Sequence, residues 1–330
     1  MPAQKVVICG AGFLGEYRKH IARNIVSPAT KASVPERIVQ LSSRNPARLL
    51  QTLQKDLPQA VTRLQATPLD ITKPETLAPA FEGAHTVVSL VGLMHGKPED
   101  FERAQWRGAE NVAKAAKEVG ARLIHISAIG ANPASEIAYW RTKGLGEEAV
   151  RSVHSNATII RPSLVFGPED DFFNRFSKLS IFLPFLPVFG GGQSKFQPVY
   201  VDDIAKAVEV MSRGDPEVEK KVSGKIIEAG GPRVYTYYDL MVTVLKYSHR
   251  NRLVISFPYW MGMMQGFAGE MLPPNLFTVT RDQIRQLGYD NIINPNPGPG
   301  EISFDKFLQE HYSHSPTPLI GILPSYLGLY

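Results

Sequence analysis

Four consecutive apolar residues, Val6-Val7-Ile8-Cys9, run straight into Gly10-Ala11-Gly12-Phe13-Leu14-Gly15. An uninterrupted apolar run of this length suits a strand buried on both faces, which requires a parallel sheet covered by helices on both sides. The glycine spacing sits between that strand and a helical stretch over 16–25. In that setting G-x-G-x-x-G allows a tight turn and close approach to a pyrophosphate. The phosphates then meet free amides and the positive end of the helix dipole. Gly10, Gly12, Phe13, Leu14 and Gly15 are therefore the candidate phosphate cradle. The alternative is a glycine-rich turn without a ligand.

Strand patterns recur over 37–41, 64–69, 85–91, 122–127 and 157–166, with helical patterns over 46–57, 101–119 and 139–153 between them. This alternation predicts an α/β fold, a doubly wound parallel sheet. Further on, prolines such as Pro184, Pro187, Pro198, Pro273 and Pro297 break the chain into short pieces. Strand patterns at 199–201 and 225–228, with a helix over 203–212 between them, are expected to rejoin the main sheet. The division expected is a nucleotide-binding domain over 1–167, to which 197–231 returns, and a smaller C-terminal substrate or docking lobe over 168–196 and 232–330.

The end of the second strand chooses the nucleotide. A carboxylate there would hold a ribose 2′-hydroxyl. This chain has Ser42-Ser43-Arg44 instead. A guanidinium beside two hydroxyls suits a 2′-phosphate through charge-assisted bonds, so NADP(H) is expected over NAD(H). The bland reading of Arg44 is a solvated loop residue. Asp70 and Ile71, after the third strand, are placed to meet the adenine. Leu90, Val91 and Gly92, after the fourth, are placed beside the nicotinamide ribose.

Tyr139 and Lys143 form a Y-x-x-x-K pair one helical turn apart, and Ser127 ends the fifth strand. At this point the chain resembles an extended or atypical short-chain dehydrogenase/reductase, a Rossmann-fold family. The resemblance takes in the glycine loop, Asp70, Gly108-Ala109-Glu110-Asn111, Ser127, Tyr139 with Lys143, Arg161-Pro162-Ser163, Gly167-Pro168 and Pro198 to Asp203. Cys9 stands where the family usually has its first glycine. A narrower similarity, at Asn174-Arg175-Phe176, 197–203, 245–250 and 280–283, is to the nucleotide-binding accessory subunit of mitochondrial complex I and to fungal relatives of the ubiquinone-biosynthesis complex. The resemblance implies Ser127, Tyr139 and Lys143 as catalytic residues. Lys143 and Pro162 would also contact the cofactor. The Lys143 charge is expected to lower the Tyr139 pKa, and Ser127 would orient a substrate carbonyl. Ser127, Tyr139 and Lys143 could equally persist for architecture in a non-catalytic subunit. His20 and His125 read as packing or surface residues.

Charged residues are 20% of the chain and the formal net charge is +5. That excess is too diffuse for nucleic acid. One cysteine leaves no internal disulfide, and no Cys/His spacing suggests a metal. No apolar run reaches the length of about 18 that a membrane span needs. The first strand follows the N-terminus too closely for a cleavable presequence. Residues 179–189, 257–267 and 318–330 are rich in large apolar side chains. They read as lobe core, as an entrance for a quinone-like or prenylated molecule, or as a peripheral membrane contact. The resemblance implies a mitochondrial multiprotein complex on the matrix side of the inner membrane.

Overall fold

A strand that is apolar on both faces has to be covered on both faces, and β1 (Gln4–Cys9) is: Val6, Val7, Ile8 and Cys9 are all fully buried. The computed structural model describes residues 3–10, 15–27, 35–94, 96–273 and 275–329. In it β1 lies inside an eight-stranded sheet with β2 (Arg37–Ser43), β3 (Leu64–Pro68), β4 (Ala84–Ser89), β5 (Arg122–Ile126), β6 (Thr158–Pro162), β7 (Ile226–Ala229) and β8 (Glu301–Ser303). The order is β8-β7-β6-β5-β4-β1-β2-β3, and the pairings are parallel. Strand order reverses between β1 and β4, so the carboxyl ends of these two strands bound the crevice where doubly wound sheets take their ligands.

Alternate residues of β1 face opposite sides of the sheet. Val7 and Cys9 join a core with Phe81, Ala109, Val112, Ala113, Ala116, Leu123 and Val150. The three alanines, on the helix Gly108–Glu118, let it lie close to the strands. Ahead of that helix the chain does not run as one α-helix over 101–119. Glu102–Arg107 are wound as a π-helix between Pro98–Phe101 and Gly108–Glu118, a widening often found beside functional sites.

Three further departures from the sequence pattern concern the sheet. The sixth strand stops at Pro162; Ser163 still donates its backbone N–H to Ala229 of β7, and its hydroxyl bonds Asn291. Val165–Phe166 then pair with Val199–Tyr200 in a separate two-stranded sheet, so 199–201 do not rejoin the main one. Residues 226–228 of the expected 225–228 do rejoin it, within β7. The eighth strand, Glu301–Ser303, has no apolar run to announce it and pairs with β7.

The chain divides into two compact units. The first, Met1–Pro162, Asp202–Glu228 and Pro295–His314, carries the sheet. Its edge is tied by Glu209, which takes Arg37 at 2.6 Å, Arg213 at 2.7 Å and the Tyr312 hydroxyl at 2.6 Å. The second, Ser163–Val201, Ala229–Asn294 and Ser315–Tyr330, has its own core of Phe173, Leu186, Val188, Tyr237, Leu240, Met241 and Leu323. There Asp170 accepts the Phe173 amide at 2.6 Å at the start of the helix Phe172–Phe182, and it also takes the Tyr326 hydroxyl. Burial raises its carboxyl to about 6.

Candidate functional site

The ladder of the sheet continues past the ends of its central strands. Gly10 donates to the Ser42 carbonyl at 3.0 Å, Leu90 to Cys9 at 2.8 Å and Leu69 to Ser43 at 3.0 Å. The four strand ends are thereby held side by side. Gly10 has φ of +123°, and a Cβ there would lie 2.7 Å from the Leu90 carbonyl oxygen. Only glycine fits, because both the conformation and the close approach exclude a side chain.

Beyond these ends opens a cleft of about 210 Å³. Gly10, Ser43, Arg44, Asp70, Ile71, Val91 and Gly92 line it, so seven residues singled out along the sequence meet at one place. Ser42 does not line it. β2 extends through Ser43, so Ser42 faces the opposite side, and its hydroxyl accepts the Gln40 amide at 2.9 Å. Leu90 contributes backbone beside Gly10. Pro162 ends β6 away from the lining and accepts the Ile129 amide at 2.9 Å. Gly15 opens the helix Gly15–Val26. Gly12, Phe13 and Leu14 lie outside the described residues.

The cleft also has walls that sequence reasoning missed: Leu69, Thr72, Leu93, Asp100, Arg103 and Ala104. Arg103 and Asp100 pair at 2.9 Å, an i,i+3 contact across the start of the π-helix. The Lys-Pro-Glu-Asp helix start at 97–100 is the signal that could have located them. Asp70 is held ionised, its carboxyl below the usual range. The Thr72 backbone N–H is the main cause, with the Thr72 hydroxyl at 2.8 Å and the nearby Arg44 charge assisting.

The fit of a nucleotide can be tested on the atoms left over. Ser43 is 2% exposed, and its hydroxyl has no hydrogen-bond partner among the described residues. A buried polar atom without a partner is costly and marks a place where a ligand completes the network. That hydroxyl stands beside Arg44, and β2 ends without a carboxylate. The residues therefore fit a dinucleotide.

Ser127, Tyr139 and Lys143 are not among the residues lining this cleft. Ser127 follows β5, 4% exposed, with its amide on the Ile160 carbonyl at 2.7 Å. Its hydroxyl also lacks a partner among the described residues. Lys143, on the helix Ala138–Val153, is 1% exposed and donates to the carbonyls of Val91 at 2.7 Å and Ile126 at 3.1 Å. Burial lowers its ammonium to about 8 against the opposing pull of Glu147. Glu147 is itself clamped by Arg161 at 2.6 Å. Tyr139 stands edge-on to Phe101, with ring centroids 6.4 Å apart. Its phenol is pushed up to about 12 by desolvation. The expected lowering of Tyr139 by Lys143 is thus not found: the ammonium is drawn onto two backbone carbonyls, and desolvation alone governs the phenol. His125 shares a strand face with Ser127 and is fully buried, its Nδ1 3.1 Å from the Ser89 hydroxyl. Burial, helped by the Lys143 charge, lowers it to about 3, so it stays neutral.

A family model described as NAD(P)H-binding matches residues 19–171. The Arabidopsis thaliana protein "NADH dehydrogenase [ubiquinone] 1 alpha subcomplex subunit 9, mitochondrial" is 31% identical over 306 residues, which is 88% of this chain and 71% of that protein. The "Ceramide reductase" of Caulobacter vibrioides is 30% identical over 210 residues, 63% of this chain and 61% of its own length. Among solved structures, DesIV, a dTDP-glucose 4,6-dehydratase from Streptomyces venezuelae, superposes with a TM-score of 0.68 at 18% identity, over 98% of this chain and 95% of that one. That likeness shows the fold.

Proposed function

The chain belongs to the NAD(P)H-binding, short-chain dehydrogenase/reductase-like family that includes subunit 9 of the NADH dehydrogenase [ubiquinone] 1 alpha subcomplex, and on that premise we propose that it is an NADP(H)-dependent oxidoreductase. Its substrate would be the carbonyl or hydroxyl of a hydrophobic, quinone-like or prenylated molecule. The observation that carries this reading is the Ser127 hydroxyl, buried without a hydrogen-bond partner among the described residues. A fold that needed this residue only for packing would have no use for an unsatisfied buried hydroxyl. The relative named a ceramide reductase supports a lipid-like substrate. The resemblance to fungal proteins of the ubiquinone-biosynthesis complex supports a mitochondrial, ubiquinone-linked setting.

In this reading Arg44 and Ser43 hold the 2′-phosphate end, Gly10 and its loop admit the pyrophosphate, and Val91 and Gly92 flank the nicotinamide ribose. The nucleotide supplies or accepts the hydride. Ser127 orients and polarises the carbonyl, and Tyr139 carries the proton to or from its oxygen. Lys143, already on the Val91 carbonyl, is within reach of a ribose hydroxyl there. Desolvation keeps the phenol protonated in the free protein, the form that can donate to a carbonyl oxygen.

A second reading is favoured by the same lysine. Held on two carbonyls, Lys143 can bind ribose without activating Tyr139, and the nucleotide would then stabilise an accessory subunit of a mitochondrial complex. Tyr139→Phe separates the two. Under the first reading turnover falls by roughly 10²–10⁴-fold and the ubiquinone level of a strain carrying the variant drops, while NADPH affinity is kept. Normal ubiquinone with Tyr139→Phe, together with loss in Gly12→Val, contradicts the enzyme and leaves the accessory role.

A further inference from the structure

Arg161 spends its guanidinium on Glu147, with Nε 2.9 and 3.1 Å from the two carboxylate oxygens and Nη2 at 2.6 Å. The pair joins the helix Ala138–Val153 to β6, and Glu147 is buried. It belongs to a row of alternating charge. Lys143 stands one helical turn before Glu147, on the same face. Beyond Arg161, the Glu228 carboxylate of β7 lies 3.6 Å from Nη1, and Glu301 of β8 adds a further negative charge. The row therefore starts at a fully buried ammonium and runs out to the acidic edge strands. The turn that carries Lys143 and Glu147 is seated tightly. A Cβ on Gly144 would strike the backbone of Asn132 and Pro133, and one on Gly146 the Gln105 carbonyl.

A buried ion pair that only ties a helix to a strand is replaceable by apolar residues. Here the carboxylate has a second effect. Lys143 donates to two neutral carbonyls, of Val91 and Ile126, and such partners do not repay the desolvation of an ammonium. His125 on β5 is neutral, and Tyr139 on the same helix keeps its proton. On the segments over 98–118 that pack against this helix, the charged side chains pair among themselves, Asp100 with Arg103 and Glu110 with Arg107 and Lys114, or are exposed. Glu147 supplies the charge that opposes burial. We propose that Glu147 is a positioning residue of the nucleotide site: fixed by Arg161, it keeps the Lys143 ammonium charged and so sets the upper pH limit of nucleotide binding. The inference rests on the reading of Lys143 as a ribose contact. Its sign follows from the charges. Without the carboxylate Lys143 gives up its proton at a lower pH, and the nucleotide loses a cationic donor there.

Titration of the full chain with NADPH over a series of pH values tests it. The wild-type affinity is expected to begin falling as the pH passes about 8. In Glu147→Gln the onset moves down by about one pH unit. Glu147→Asp keeps the charge and holds the onset near its wild-type position, although both variants weaken the clamp and lower thermal stability. Glu147→Gln combined with Arg161→Met leaves no guanidinium buried alone; it moves the onset the same way and serves where the single variant does not fold. Lys143→Met removes the pH dependence in this range. If Lys143→Met removes it and neither glutamine variant moves the onset, the proposal is overturned and the ribose contact stands. Equal shifts in Glu147→Asp and Glu147→Gln also overturn it, because packing rather than charge would then be responsible. If Lys143→Met keeps the affinity and pH dependence of the wild type, the ribose contact fails and the proposal with it.

Discussion

Lys143 puts an ammonium against two backbone carbonyls at 1% exposure, and that single placement can be read in solution. Burial lowers its pKa from 10.5 to about 8. Between those values the unfolded chain binds a proton that the folded chain sheds, so stability rises with pH through the window. Cys9, raised from 9.0 to about 12, and Tyr139, raised from 10.0 to about 12, oppose this above pH 9 and 10. Urea denaturation should therefore show the nucleotide-free protein gaining about 1 kcal/mol from pH 8 to pH 9, and Lys143→Met should lose that gain. An unchanged slope in the variant contradicts the burial of a charged lysine. At this scale the sequence was informative about residue type and less so about direction. Ser42 and Ser43 read alike when the strand is ended at 41. Two more strand residues place them on opposite faces, one on Gln40 and the other in the cleft. The distance that matters between Lys143 and Tyr139 is likewise invisible in a Y-x-x-x-K spacing, because spacing fixes a shared helix face but not what the lysine amino group binds.

The strands that were legible are those whose apolar runs must be buried on both faces, β1, β2, β4 and β5 among them. β8 was not, being three residues long and recognisable only by its pairing with β7. The end of β6 at Pro162 was hidden for a similar reason: the partner of the next side chain, Ser163, is Asn291, 128 residues away. The tie at Glu209 is of the same kind. It joins β2 to the helices Val201–Met211 and Phe304–Tyr312, and its partners Arg37 and Tyr312 stand 172 and 103 residues off in sequence. Glu209→Ala would leave two guanidiniums buried without their carboxylate, so unfolding free energy should fall by about 3–5 kcal/mol. A loss under about 1 kcal/mol in urea denaturation would show that water or relaxation replaces the carboxylate. Gly10→Ala probes the strand end itself. The new methyl meets the Leu90 carbonyl, and the backbone strain is of order 1–3 kcal/mol. Nucleotide affinity should fall with stability, as scored by titration and thermal unfolding of one sample.

At the scale of the whole molecule, the cleft at the carboxyl ends of β1, β2, β3 and β4 is the proposed nucleotide site of the sheet unit. A ligand that binds only the folded state adds about 2.7 kcal/mol at a hundredfold excess over its dissociation constant, so nucleotide choice is visible in stability as well as in affinity. The family establishes NAD(P)H binding; the proposed preference for the phosphorylated form is argued from Ser43 and Arg44 at the end of β2. Calorimetric titration of the full chain with NADPH and with NADH, repeated on Arg44→Ala, tests that preference directly. The expected result is tighter binding of NADPH by the wild type and loss of about 1.5–3 kcal/mol of that affinity in the variant, with NADH binding little changed. Equal affinity of the wild type for the two nucleotides would contradict the account.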